Sequence, residues 1–157
     1  MKKLNIDKIL HKLPSNRVNL KIFHEIDSTN DEAKRIELDK DFHVIVAEKQ
    51  TKGRGRLGKK WSSPHSGNIY MTICTESDLS KVPVSLITGL ICKKAINRIS
   101  SKSMIMLKWP NDILLNNKKI GGILVESAVY NEKIRTIIGI GINIKIKKEE
   151  SWWGDLY

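Results

Sequence analysis

Apolar and polar residues follow two different periods along the chain, and these periods predict its strands and helices. Alternating or short continuous apolar runs, bounded by turn residues, predict strands. The predicted strands cover residues 19–26, 42–47, 68–74, 104–108, 113–115, 120–127 and 133–146. The predicted helices, which carry apolar residues at helical spacing, cover residues 4–13, 31–38 and 84–99. The chain therefore combines strands and helices, and it contains no internal repeat or low-complexity segment.

Residues with special backbone preferences separate these elements. The segment Asp27–Asn30 has the composition of a helix N-cap, so capping and a ligand contact are both open for its side chains. Pro110 predicts that the turn after the fourth strand lies at a sheet margin, and the pair Asn116-Asn117 predicts a tight hairpin. The pair Gly121-Gly122 would let a ligand or another backbone come close to the following strand.

The strongest chemical signal lies in residues 53–61, GRGRLGKKW. Its three glycines, two arginines and two lysines are typical of a loop that holds an anion. The glycines fit G-x-G-x-x-G and the start of a P-loop, but both fingerprints need a helix directly after the loop. Here turn formers and a strand follow, so the anion would be held by backbone N–H groups and arginines. The alternative is a flexible basic surface loop.

The two ends of the chain carry different signals. Residues 4–13 predict a short lead-in helix that ends at Pro14, and their interrupted apolar positions exclude a signal peptide. At the other end, Trp152, Trp153 and Tyr157 have no later segment to bury their rings. We therefore expect an unfinished or partner-dependent end there.

Length and charge narrow the class of protein. A chain of 157 residues corresponds to one domain. Lys+Arg 28 against Asp+Glu 17 gives +11, which favours acidic partners such as nucleotides, nucleic acid or an acidic protein, although a lysine-rich surface explains much of this excess. Cys74 and Cys92 lie in apolar segments without C-x-x-C spacing, which indicates reduced core thiols in a cytosolic protein and no metal cluster. No apolar run reaches membrane length.

Five motifs occur along the chain. They are DSTN at 27–30, EKQTKGRGRLGKKWSSPHSGNIYMTI at 48–73, KWPND at 108–112, KKIGGILVES at 118–127 and GIGIN at 139–143. Taken together, they resemble the biotin protein ligase family, and they follow the family's order over about residues 20–146. The resemblance implies that residues 1–157 are a ligase catalytic domain with a mixed α/β fold. A mixed sheet flanked by helices is expected, similar to class II aminoacyl-tRNA synthetases and lipoate ligases.

The resemblance also implies a two-step reaction. Biotin and MgATP would give biotinyl-AMP and pyrophosphate, and a lysine of the biotin carboxyl carrier protein of acetyl-CoA carboxylase would then take the biotin. ATP, biotin and Mg²⁺ are therefore the expected small ligands, and the carrier protein is the expected partner. A cytoplasmic location is expected, and a homodimer is consistent with the family.

The motifs carry the family's site residues onto this sequence. The expected biotin-binding residues, of which the first four would meet the ureido ring, are Ser28, Thr29, Asn30, Gln50, Arg54, Gly55, Arg56, Lys119, Gly121 and Gly122. The expected ATP-binding residues are Arg54, Arg56, Lys59, Trp61, Lys108, Asn111, Asp112, Lys119 and Asn143. Arg56, Lys119 and Asp112 are the expected catalytic residues, and Asp112 is also a candidate contact to Mg²⁺.

These residue types suit the implied chemistry. The carboxylate of biotin is ionised at neutral pH, so the first step needs no general base, but it needs cations that relieve the repulsion between two anions. Arg54, Arg56, Lys119 and Mg²⁺ would supply that charge, and the glycines would let the loop open and close. In the second step Asp112 would orient or deprotonate the attacking lysine, with a structural hydrogen bond as the alternative.

The chain departs from the family pattern at both ends. The winged helix-turn-helix of many bacterial relatives has no room before the first strand, so we expect neither operon repression nor DNA binding. The helices and small barrel that usually follow GIGIN are missing as well, which puts the closing wall of the nucleotide pocket and the docking of the carrier in doubt. Three alternatives stay open: a lipoate or octanoate ligase or transferase, a nucleic-acid-binding module built on the basic loop, and a truncated fragment that binds biotin without transferring it.

Overall fold

One seven-stranded sheet organises the chain. The computed structural model describes residues 6–64, 67–99, 104–145 and 151–156. The strands are β1 (Val18–Phe23), β2 (Phe42–Ala47), β3 (Ile69–Thr75), β4 (Ile105–Lys108), β5 (Asp112–Leu115), β6 (Lys118–Tyr130) and β7 (Lys133–Ile142). Their order across the sheet is β1-β2-β3-β7-β6-β5-β4, with β1 and β2 parallel and every other neighbouring pair antiparallel. The predicted mixed sheet is confirmed.

Within the described residues, one helix precedes β1 and two lie between strands, as the mixed α/β prediction requires. Their bounds are α1 (Ile6–Leu10), α2 (Thr29–Arg35) and α3 (Val84–Ile99), and a short 3₁₀ turn covers Arg56–Gly58 between β2 and β3. The predicted first helix is shorter than expected, and residues 4 and 5 lie outside the described residues. Within the described ranges, no helix is long and apolar enough to cross a membrane.

The two faces of the sheet have different partners, because neighbouring residues of a strand point to opposite sides. On one face Ile140 of β7 packs in a cluster with Cys92 and Ile96 of α3. On the other face Ile137 packs with Ala33 of α2. The second face is also the one on which Gly122 of β6 and the glycines of β7 lie. Helix α3 therefore covers one face, and the other face is left to α2 and a cavity.

Turn residues set the limits of the elements as predicted. Asn116 and Asn117 both have positive φ, 49° and 62°, in the tight hairpin between β5 and β6. Pro110 follows the edge strand β4, so it lies at the sheet margin. Helix α2 begins at Thr29 rather than at the predicted Asp31, because Ser28 is its N-cap. The Ser28 hydroxyl oxygen accepts a hydrogen bond from the Asp31 N–H at 3.4 Å.

The segment after β7 returns to the sheet. The Lys119 N–H donates to the Trp152 carbonyl at 2.9 Å, and the Gly154 N–H donates to the Lys119 carbonyl at 2.9 Å, so residues 152–154 pair with the start of β6. Trp153 is half-buried there, whereas Trp152 is 52 % exposed. The tail of the described chain thus has a partner within the chain that its sequence did not suggest.

Candidate active site

A cavity of about 490 Å³ opens over the face of the sheet that α3 leaves uncovered. Its floor includes Gly122 of β6 with Gly139 and Gly141 of β7. A methyl group at Gly141 would lie 2.6 Å from the Trp61 ring, and one at Gly139 would overlap the Asn30 amide. Only glycine therefore leaves room for the side chains that approach the sheet at these positions.

A polar network surrounds the start of α2 at one end of the cavity. The Thr29 backbone N–H and its hydroxyl both donate to Gln50 Oε1, at 2.8 and 3.0 Å. The Gln50 amide donates to the Ser63 hydroxyl at 2.9 Å. Thr72 of β3 reaches the same network, since its hydroxyl lies 2.8 Å from Thr29 Oγ1 and 2.6 Å from Asn30 Oδ1. The residues of the DSTN motif thus combine helix capping with a preorganised polar surface.

Burial restricts the orientations that the groups of this network can take. The side chains of Ser28, Thr29 and Asn30 are 2–4 % exposed, and that of Thr72 is fully buried. Buried polar groups are stable only when their hydrogen bonds are made, so each bond restricts the orientation of the next group. A ligand with donors and acceptors in one plane would meet groups that are already oriented.

The glycine-rich loop joins β2 to β3, as predicted, and its two arginines have different surroundings. Arg54 forms ion pairs with Asp31 at 2.6 Å and with Glu126 at 2.9 Å. Its hydrogen bond to Glu126 is the main reason that the pKa of Arg54 is raised above its ordinary value. Arg56 is exposed, and its Nη1 lies 3.4 Å from Asn111 Oδ1. Arg56 is therefore the loop arginine whose charge no ion pair within the described residues neutralises.

A second charged group lies at the other end of the cavity. Lys119 Nζ is 2.7 Å from Asp112 Oδ1, and the two side chains are 22 and 25 % exposed. The same ammonium lies 5.5 Å from the centre of the Trp61 ring and 6.0 Å from that of Trp152. Trp61 Nε1 is buried and has no hydrogen-bond partner within the described part of the chain. A ligand entering here meets a cation and a carboxylate beside the Trp61 ring.

Most of the predicted site residues line this one cavity. They are Ser28, Thr29, Asn30, Gln50, Arg54, Gly55, Arg56, Lys59, Trp61, Asn111, Asp112, Lys119, Gly122 and Asn143. Lys108 and Gly121 are not among the lining residues. Lys108 is exposed at the end of the edge strand β4, and Gly121 is buried, where a methyl group would lie 2.8 Å from the Gly141 carbonyl oxygen. Gly121 thus allows close approach of a neighbouring backbone.

Sequence reasoning did not assign several residues of this region to the site, among them two tryptophans and one threonine. Trp152 and Trp153 line the cavity, although their position in the tail suggested an unfinished end. The feature of the sequence that could have indicated this was that two large aromatic residues are adjacent in the tail. Thr72 was predicted only as a strand residue, yet it connects Thr29 to Asn30. A polar side chain at an inward position of a buried strand was the signal there.

Comparisons with known proteins show which sequences and structures the chain resembles. A family model described as the Biotin/lipoate A/B protein ligase family matches residues 22–143. The bifunctional ligase/repressor BirA of Escherichia coli (strain K12) is 32% identical over 152 residues, which cover 94% of this chain and 46% of that protein. The biotin--[acetyl-CoA-carboxylase] ligase of Paracoccus denitrificans is 32% identical over 124 residues, which cover 75% of this chain and 51% of that protein. The chain thus spans about half the length of these two relatives.

Two solved structures share the fold over most of the chain. The biotin protein ligase from Leishmania major in complex with biotinyl-5-AMP has a TM-score of 0.71 at 32% identity, and covers 87% of this chain and 62% of that chain. The biotin protein ligase from Aquifex aeolicus in complex with biotin and ATP has a TM-score of 0.70 at 34% identity, and covers 85% of this chain and 55% of that chain.

Proposed function

The chain belongs to the biotin/lipoate A/B protein ligase family, and we propose that it activates biotin with ATP and transfers it to a carrier protein. The acceptor in this proposal is a lysine of the biotin carboxyl carrier protein of acetyl-CoA carboxylase. The observation that carries the proposal is one cavity with an oriented polar network at one end and Lys119 at the other. Similarity to ligases described with biotin, ATP and biotinyl-5-AMP supports the same choice.

The polar network suits the head of biotin. The ureido ring is neutral and planar, and it presents N–H donors and a carbonyl acceptor, so it needs short polar partners in a largely closed pocket. In this proposal it binds beside Ser28, Thr29, Asn30 and Gln50. The glycine floor provides the close approach that a fused ring system needs.

The charged end suits the first chemical step. A carboxylate oxygen of biotin attacks the α-phosphorus of ATP, the bond from that phosphorus to the β-phosphate oxygen breaks, and pyrophosphate leaves with its electron pair. No proton is transferred, because the carboxylate is already ionised. Lys119 and Arg56 stabilise the negative charge that two anions bring together and that the transition state spreads over the phosphate oxygens. Asn111, within reach of Arg56, would help to orient it.

The second step forms the amide bond. The free amine of the carrier lysine attacks the acyl carbon of biotinyl-AMP, the bond from that carbon to the phosphate oxygen breaks, and AMP leaves. The attacking amine loses one proton, and in this proposal Asp112 orients the amine or accepts that proton. This role requires the Asp112 carboxylate to turn from Lys119, to which it is paired at 2.7 Å.

We propose that Mg²⁺ binds together with ATP. The described residues contain no group of three His, Cys, Asp or Glu side chains that could form a protein metal cage. Asp112 is a carboxylate that lines the cavity, and this fits Mg²⁺, which in nucleotide sites is held by one or two carboxylates and by the phosphates of the substrate. Asp112 would hold it, and the bound ion would supply positive charge to the phosphate oxygens.

Transfer of biotin to a carrier domain tests the proposal directly. The purified protein is incubated with ATP, Mg²⁺, biotin and a biotin carboxyl carrier domain, and the carrier is analysed by intact-mass spectrometry. We expect one biotinyl group per carrier, dependent on ATP and absent from a carrier whose acceptor lysine is replaced by arginine. Pyrophosphate release without transfer would reduce the function to adenylate formation. Labelling by lipoate or octanoate in preference to biotin, or no ATP-dependent reaction with any acid, would refute the proposal.

A further inference from the structure

A cluster of four charged side chains lies beside the DSTN segment. Glu126 of β6 and Asp31 of α2 are its acids, and Arg54 of the glycine-rich loop and Lys34 of α2 are its bases. Lys34 Nζ lies 3.1 Å from Glu126 Oε1 and 3.2 Å from Asp31 Oδ1. Arg54 bonds both carboxylates, with distances from 2.6 to 3.2 Å. The cluster thus joins three separate segments of the chain.

Glu126 also controls the orientation of the Asn30 amide. Asn30 Nδ2 donates to Glu126 Oε2 at 2.8 Å, while Asn30 Oδ1 lies 2.6 Å from the Thr72 hydroxyl. An ionised carboxylate accepts hydrogen bonds only, so the amide must turn its NH₂ group toward Glu126. The amide oxygen then faces Thr72, whose hydroxyl lies 2.8 Å from Thr29 Oγ1. The charge of Glu126 therefore orders the polar network as well as the loop.

The surroundings of Glu126 keep it ionised. Its side chain is 20% exposed, and burial alone raises the pKa of its carboxyl group. Hydrogen bonds from Asn30, Arg54 and Lys34 together outweigh burial, so the pKa of Glu126 lies below its ordinary value. Such a partly buried network holds its members more firmly than an isolated surface pair does.

We propose that Glu126 and Asp31 are positioning residues, which anchor the glycine-rich loop through Arg54 and orient Asn30 beneath the biotin site. This inference rests on the proposed ligase function. Arg54 is two residues from Arg56, so a fixed Arg54 restricts where the reactive end of the loop can move. Anchoring lowers the entropy that the loop must lose when it closes over the adenylate, and it keeps water away from the reactive mixed anhydride.

Two measurements on the full chain test the proposal in different ways. The first is hydrogen–deuterium exchange of residues 53–61 without ligand, where the Gly55, Lys59 and Trp61 amides donate within the loop. We expect Glu126→Gln to increase exchange in this segment roughly tenfold, because the anchor of Arg54 is weakened. Glu37→Gln makes the same charge change at an exposed site, and we expect it to leave the loop unchanged.

The second measurement is the fraction of biotinyl-AMP that escapes or is hydrolysed for each pyrophosphate formed. Glu126→Gln should raise this fraction about fivefold, because the loop closes less completely. Glu126→Asp keeps the charge and should recover part of the loss. Ile96→Val serves as the stability control, since it removes a methylene from the core on the other face of the sheet and should lower the melting temperature without changing the fraction.

The outcomes separate the positioning role from the proposed function. If Arg54→Ala raises loop exchange and Glu126→Gln adds little to it in the double variant, Glu126 acts through Arg54. Unchanged loop exchange in Glu126→Gln would overturn the proposal. So would a double variant in which the fold-changes of the two substitutions multiply, because the two residues would then act independently. If the wild type forms no adenylate at all, the proposed function fails, while the exchange data still decide whether Glu126 anchors the loop.

Discussion

Replacement of Lys119 by alanine offers the sharpest test of the proposed chemistry. The change removes a cation and also leaves the Asp112 carboxylate, now 2.7 Å from an ammonium, without its partner in the cavity. Two like charges about 5 Å apart repel by ~3 kcal/mol at an effective dielectric constant of ~20. Loss of a single preorganised donor to a transition state costs about 10²–10³-fold in rate. In the proposed complex, Mg²⁺ held by Asp112 would offset most of that repulsion, so the lost donor should dominate and we expect the rate of adenylate formation to fall by about 10²–10³-fold.

The assay is single-turnover release of pyrophosphate with saturating biotin and ATP. Lys118→Ala is the matched control, because Lys118 is the preceding residue of β6 and its side chain is exposed. Circular dichroism and melting temperature should show that both variants keep the fold. A Lys119→Ala variant that releases pyrophosphate within about twofold of the wild type, under conditions in which chemistry limits the rate, would refute the electrostatic role.

A double variant divides the effect between its two causes. If Lys119 serves mainly to neutralise Asp112, then Asp112→Asn in the Lys119→Ala background should restore the rate by about tenfold or more. If Lys119 acts on the reacting carboxylate and phosphate, the double variant should stay as slow as Lys119→Ala. We expect the second result, since the ammonium also faces the Trp61 ring at 5.5 Å and so borders the cavity itself.

Three further predictions follow from the network around α2. Gly139→Ala should destabilise the protein by about 1–3 kcal/mol in urea unfolding and weaken biotin binding in calorimetry, because the methyl group overlaps the Asn30 amide; unchanged affinity would contradict this. Thr72→Val should cost about 1–3 kcal/mol in thermal unfolding, because it removes a buried hydroxyl, and Thr72→Ser should recover most of that loss. The folded pKa of Glu126 lies below 4.5, so its contribution is fully present above that pH and is lost as the pH falls through the lowered value. Urea unfolding at several acidic pH values should show this loss, about 0.2–1 kcal/mol, and Glu126→Gln should abolish it; an unaltered acid dependence would argue against the ion pairs.

Hydrophobic periodicity predicted every strand, but tertiary contacts decided where the strands end. The last strand ends at Ile142 rather than continuing toward residue 146, because the N–H groups of Ile144 and Lys145 donate to the Asn68 side chain, at 2.8 and 3.0 Å, instead of to a neighbouring strand. Strand β6 is longer than predicted, from Lys118 to Tyr130, since β5 pairs with Lys118 and Lys119 at its start and β7 pairs with residues 128–130 at its end. The local spacing of apolar residues indicates whether a segment is a strand or a helix. The first and last residues of the element depend on contacts with segments that are distant in sequence.

In the site, too, some features depend on neighbouring residues and others on residues that are distant along the chain. Spacing alone brings the DSTN segment to a helix start, because a capping hydroxyl works within three residues. Spacing cannot distinguish Arg54 from Arg56, which are equivalent in the run GRGR. Their difference comes from Glu126, which is 72 residues from Arg54 along the chain. Which cation is paired and which faces the cavity is therefore a property of the fold.

The charge of the site follows from these pairings rather than from the net charge of the chain. The total of +11 suggests a broad attraction to anions. Within the described residues, however, Arg54 and Lys119 are both neutralised by carboxylates, at 2.9 and 2.7 Å. Arg56 and Lys59 remain exposed on the loop. Exposed charges are screened by salt far more than paired, half-buried ones, so ionic strength should affect the proposed binding of ATP at the loop more than the proposed chemistry beside Lys119.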